Sequence, residues 1–215
     1  MEITRQDNKA VLRLIEKGIA AGAGKLAKIS RTQWEIREIL LQAYAKPEDY
    51  AELRPPNQYF FGAYCQAEGN MLLSYFSSRS AALITQAFLA GNRGGRQATP
   101  QMQELAMAEV SNIVVNAVAG PLADHCGMAF ILSAPTSVRG SRADIIKAAF
   151  GDFSGTGKIF SARIDMSSKE IAADCTLMLM LDDLMVNRIL NAAGGGSEGK
   201  QAGRSCDSRL HSIVD

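Results

Sequence analysis

Histidine, cysteine and net charge are all scarce in this chain. Only His125 and His211 are present among 215 residues, and no Cys, His or carboxylate cluster has metal-ligand spacing. The four cysteines, Cys65, Cys126, Cys175 and Cys206, form no C-x-x-C pair. They read as reduced, core-filling thiols of a cytosolic protein, not as a disulfide framework. Twenty-three basic residues face 22 acidic ones, for a net charge of +1. That leaves no electrostatic case for nucleic acid or an anionic membrane. The opening residues, MEITRQDNKAVLRLI, are too charged for a signal peptide. The longest apolar stretches fall well short of a membrane span. The expectation is a soluble cytoplasmic protein with no membrane and no nucleic-acid partner.

Apolar residues make up 47% of the chain, enough for a sizeable core without disulfides. Residues 8–29 carry Val11, Leu12, Ile15, Ile19, Ala23, Leu26 and Ala27 at helical spacing. Gly18, Gly22 and Gly24 are poor helix formers and point to close packing against another element. The GAGK fragment is no phosphate loop, because Ile19 stands at the motif's first glycine and Leu26 follows Lys25. Lys158 fails likewise, with Asp152 at the first glycine. Residues 34–41 read as a strand, 46–57 as a loop, and 59–76 as two strands joined at 67–70. Ser77 and Ser78 are candidate caps of a helix that stops at Gly91.

GNRGGRQATP then reads as a linker. A helix over 102–118 follows, then an apolar strand over 127–135. Strand-like runs at 143–153 and 158–166, a strand over 171–181, Asp182 as cap and a final helix complete the pattern. The segments 71–91 and 176–195 share one order: strand, cap, amphipathic helix, glycine stop. This is an internal repeat. The expected architecture is α+β, with two pseudo-symmetric halves that share one core. Each half has a long helix, antiparallel strands and a second helix. Residues 1–91 form the first half, 92–100 the linker, 101–195 the second half and 196–215 a flexible tail.

In the helix opening the second half, Leu105, Glu109, Asn112 and Asn116 fall within an arc of about 60°. Val110, Val114 and Val118 lie on the opposite side. One face can pack on a core and the other is polar, with an out-of-place leucine. Glu109 and Asn112, three residues apart, are neighbours and the candidate reactive or docking pair. His125 near the helix end suits carbonyl capping or solvent, and Asp182 and Asp183 suit helix capping.

Here the residues resemble the CheC/CheX/FliY family of chemotaxis phosphatases. That family's signature is Asp or Ser, three residues, Glu, two residues, Asn, twenty-two residues, Pro. Glu109, Asn112 and Pro135 fit its spacing, and the repeat extends the resemblance over residues 8–195. The Asp/Ser position is Leu105, which cannot hydrogen-bond, and Glu104 beside it sits about 100° round the helix. In the first half the matching pair is Glu16 and Ile19, a degenerate site, so one working site is expected. The order of halves looks more like CheC than CheX.

The resemblance implies an aspartyl-phosphate phosphatase acting on a CheY-like response regulator in chemotaxis, a form of two-component signalling. An acyl phosphate has a good leaving group, so a catalyst need only hold water in line with phosphorus. A carboxamide donates and accepts at once, which suits Asn112 to orient that water. Glu109 would pair with a lysine beside the regulator's phosphorylation site. The chain would need no cofactor of its own, with Mg2+ supplied by the regulator. Asn116 and Leu105 are candidate partner contacts, and Pro135 is structural, at the end of a strand. Two other classes stand beside this: a non-catalytic module that binds a response regulator or a CheD-like protein, and a domain whose edge strands pair into a homodimer.

Overall fold

The computed structural model describes residues 5–43, 58–90, 99–154 and 159–194. The first helical pattern becomes α1 (Arg5–Ser30), whose Ile15, Ile19 and Leu26 are fully buried. Strand β1 (Glu35–Ala43) follows. Strands β2 (Phe60–Ala67) and β3 (Asn70–Ser77) form a hairpin. Its turn residues Glu68 and Gly69 both have positive φ, 46° and 79°, which suits the twist of an antiparallel pair. Helix α2 (Ser78–Ala90) is capped by Ser77, whose hydroxyl accepts from the Ser80 N–H at 3.1 Å. Helix α3 (Pro100–Cys126) opens the second half. Strand β4 (Thr136–Gly140), helix α4 (Arg142–Asp152) and the hairpin β5 (Phe160–Ser168) and β6 (Ala173–Leu181) come next. The last described element is α5 (Asp183–Gly194). Buried Asp182 caps it, accepting from the Met185 N–H at 2.8 Å.

The six strands make one antiparallel sheet in the order β1-β5-β6-β3-β2-β4. Each half's first strand pairs with the other half's hairpin: β1 with β5, and β4 with β2. The hairpins meet at β3 and β6, with Leu73 opposite Met178. A pseudo-two-fold axis between β3 and β6 therefore exchanges the halves. Helices α1, α2, α3 and α5 pack on one sheet face around a core drawn from both halves. On the other face, Ile145, Ile146 and Ala149 of α4 cover Phe60, Tyr64, Leu73, Tyr75 and Met178. Helices α1 and α3 approach closely at the glycines. A Cβ on Gly18 would meet the Val118 carbonyl oxygen at 3.0 Å, and one on Gly22 a Val118 methyl at 3.2 Å. Cys65 and Cys175 are buried free thiols and Cys126 is half-buried.

Five expectations are corrected. The run 127–135 is not a strand. Gly127 closes α3 in a left-handed conformation, and the chain then reaches β4 without regular secondary structure. The Ser133 N–H still donates to the Gln66 carbonyl oxygen of β2 at 2.8 Å, but Pro135 has no N–H to continue the ladder, and regular pairing with β2 starts at Thr136. Pro135 thus precedes a strand instead of ending one. The run 143–153 is a helix. Ser141 and Asp144 form a capping box, and the apolar side at Ile145, Ile146 and Ala149 has helical spacing. The helix expected over 102–118 extends from Pro100 to Cys126 and carries Pro121 within it. By length and composition α3 is also apolar enough to cross a membrane, unlike the reading from apolar runs, and nine of its residues are buried. The loop over 46–57, most of the linker and the tail lie outside the described residues, as does Cys206.

Candidate functional site on the outer face of helix α3

Thr99 opens α3. Its hydroxyl accepts from the Met102 N–H at 3.2 Å, and Pro100 takes the first helical position, where a missing N–H costs nothing. Val110, Val114, Val115, Val118 and Leu122 then lock one side of the helix into the core. With that side fixed, the opposite side is fixed in direction too. Leu105 is 72% exposed there. Glu109 and Asn116 are exposed and Asn112 is half-buried. The sequence-predicted residues of α3 thus share one outward face of one rigid element. Pro135 is half-buried on the connection into β4.

The polar groups on this face differ in how they are held. Glu109 makes no hydrogen bond or ion pair with any described residue, so its carboxylate is free for a partner. Glu104, beside Leu105, turns aside to form an ion pair with Arg139 of β4. The Arg139 guanidinium in turn stacks 5.0 Å from the centre of the Phe61 ring. Glu104 is thereby occupied and does not substitute for the missing Asp or Ser at Leu105. Asn116 uses its Nδ2 twice, donating to the backbone carbonyl of Asn112 and to Asn112 Oδ1, both at 2.8 Å. That link was not read from the sequence, although the i,i+4 spacing of the two asparagines carries the signal. The Glu104–Arg139 pair joins two elements far apart in sequence and left no local trace.

The first-half counterpart looks different. Glu16 is exposed, whereas Ile19 is fully buried in the core. The two do not form an outward pair. His125 is exposed, with Nε2 3.4 Å from the Ile189 carbonyl oxygen of α5. Among the described residues no three His, Cys, Asp or Glu side chains gather as a metal-ligand set.

The intertwined sheet under paired long helices is found in solved proteins. FliY from Thermotoga maritima is similar with a TM-score of 0.64 and 12% identity, over 91% of this chain and 99% of that one. The chemotaxis protein CheX from Desulfovibrio desulfuricans gives 0.52 and 12%, over 79% and 99%. FliM in the FliM–SpeE complex from H. pylori gives 0.59 and 9%, over 90% and 97%. The chain has a CheC/CheX/FliY-like fold. At these identities the likeness is one of fold. No protein-family model matches the chain, and no curated protein matches it either.

Proposed function

We propose that the outer face of α3 docks a CheY-like response regulator in the cytoplasm and speeds hydrolysis of its aspartyl phosphate. The observation that carries this reading is the outward placement of Glu109 and Asn112 on one fixed helix face, with Glu109 unpaired among the described residues. In the reaction the water oxygen bonds to phosphorus while the bond to the aspartyl oxygen breaks. The carboxylate leaves with the bonding electrons, and the water's protons pass to phosphate and solvent. Asn112 holds the water in line. Glu109 pairs with a lysine of the regulator and sets the register of Asn112. The CheC-like chain contributes no cofactor in this scheme, and Mg2+ belongs to the regulator. Leu105 supplies an apolar docking contact where the family signature has Asp or Ser.

The test is to load a CheY-like regulator from acetyl phosphate and follow its dephosphorylation alone, with wild-type protein and with Asn112→Ala. Wild type is expected to speed the decay, and Asn112→Ala to lose on the order of 10²-fold of that effect, as for one positioned catalytic donor. Equal decay with the two proteins overturns the reading.

One observation favours a second reading. Leu105, 72% exposed, resembles a binding contact more than a catalytic one, and the similar FliM chain was solved in complex with SpeE. On this reading the face binds a response regulator or a CheD-like protein without hydrolysis. Saturable binding of the phosphorylated regulator with no change in its decay identifies that case.

A further inference from the structure

The hydrogen bonds at Asn116 define which way the Asn112 carboxamide faces. A backbone carbonyl oxygen only accepts. The Asn116 atom 2.8 Å from the Asn112 carbonyl oxygen is therefore the amide nitrogen, a donor. The same nitrogen lies 2.8 Å from the Asn112 side chain, so the Asn112 atom it meets is the oxygen. Turning the Asn112 amide over would set two NH2 groups against each other. We infer that Asn116 is a positioning residue: it fixes the polarity of the Asn112 carboxamide, with Oδ1 toward Asn116 and Nδ2 at the remote end, free to donate.

This inference rests on Asn112 being the working amide of the proposed reaction, and it gives that amide an orientation. Oδ1 has two lone pairs, and Asn116 uses one. The other accepts a proton of the attacking water, which leaves a water lone pair toward phosphorus. Nδ2 donates to a phosphoryl oxygen. A reversed amide presents a donor where the water needs an acceptor, and the water turns its lone pair to the amide instead of to phosphorus. Asn116 is exposed and contributes nothing to the core, so its role separates cleanly from folding. It also differs from a partner contact, whose loss would weaken docking.

The experiment compares Asn116→Ala and Asn116→Asp with wild type and Asn112→Ala. Alanine frees the amide to turn, while aspartate offers only an acceptor and draws Nδ2 of Asn112 toward itself. In regulator dephosphorylation, Asn116→Ala is expected to lower kcat by about two- to tenfold, the value of one hydrogen bond, with KM unchanged. Asn116→Asp is expected to lower kcat further, toward the Asn112→Ala level. A rise in KM with kcat unchanged makes Asn116 a partner contact and overturns the inference.

A second readout needs no activity. In 15N-labelled protein the Asn112 side-chain NH2 protons are expected to move downfield in Asn116→Asp, as they turn to the carboxylate, and to move little in Asn116→Ala. Unmoved Asn112 NH2 resonances in Asn116→Asp overturn the positioning claim whatever the kinetics. Moved resonances together with regulator decay that is the same with Asn112→Ala as with wild type sustain the positioning claim and remove the phosphatase reading alone.

Discussion

Leu105 and Ile19 are both large apolar side chains on a long helix, and their exposure separates them. Leu105 is 72% exposed and Ile19 fully buried. Truncating Leu105 to alanine removes no core packing, so the melting temperature is expected to stay within about a degree or two of wild type. Docking should weaken: a titration with the regulator is expected to show KM raised roughly threefold to tenfold and kcat unchanged, in line with loss of one apolar contact. Ile19→Asn looks like repair of the degenerate half-site, but the structure says otherwise. It places an amide in the core and leaves a void, with an expected cost of about 3 kcal/mol or more in urea unfolding. It is expected to add no activity. At this scale the outward face of α3 that carries the candidate residues was largely legible. An outward arc at 3.6-residue period follows from helix geometry alone, and Glu109, Asn112, Asn116 and Leu105 all lie on it. The Asn112–Asn116 link and the diversion of Glu104 to Arg139 were not legible, because side-chain pairing depends on rotamers and on neighbours remote in sequence.

The helix pair α1 and α3 shows how an element's packing decides what a glycine is for. Gly18 faces the Val118 carbonyl oxygen with no room to spare, while a Cβ on Gly24 would meet nothing within 4 Å. Gly24→Ala is expected to raise stability by about 0.5–1 kcal/mol through helix propensity. Gly18→Ala is expected to lower it by on the order of 1 kcal/mol, since backbone on the partner helix cannot yield as a side chain does. Chemical denaturation of the two single variants checks the opposite signs. The elements misread from sequence have a common physical origin. The ADIIKAAFGDF run is apolar on one side at spacing compatible with either period over so short a span. The capping box at Ser141 and Asp144 decides for a helix, and that box was the signal overlooked. In 127–135 the alternation of exposed and half-buried residues is real. Pro135 interrupts the ladder beside β2 that would have made it a strand.

For the molecule as a whole, the repeat order was readable and the strand exchange between halves was not, because pairing partners are set by tertiary closure. Placing α4 across the second sheet face has a consequence for alkaline stability. The Tyr64 hydroxyl of β2 donates to Asp152 at the end of α4 at 2.5 Å. Burial, and then the carboxylate beside it, push the Tyr64 hydroxyl from its ordinary 10.0 up to about 12. The folded state thus holds that proton more tightly than the unfolded chain. The stabilisation is complete below pH 10 and drains away as pH rises toward 12. The stability difference between wild type and Tyr64→Phe is expected to be flat below pH 10 and to shrink above it; a difference constant to pH 12 would count against this anchoring of α4. The whole assembly of sheet, paired helices and outward face bears on one claim, that the α3 face acts on a phosphorylated regulator. The most direct measurement is the first-order dephosphorylation constant of a CheY-like regulator as a function of protein concentration, for wild type, Glu109→Ala and Asn112→Ala. The expected result is saturable acceleration by wild type, a raised KM together with a lowered rate for Glu109→Ala, and a plateau lowered on the order of 10²-fold at unchanged KM for Asn112→Ala. A decay constant that does not change with added wild-type protein would contradict the account.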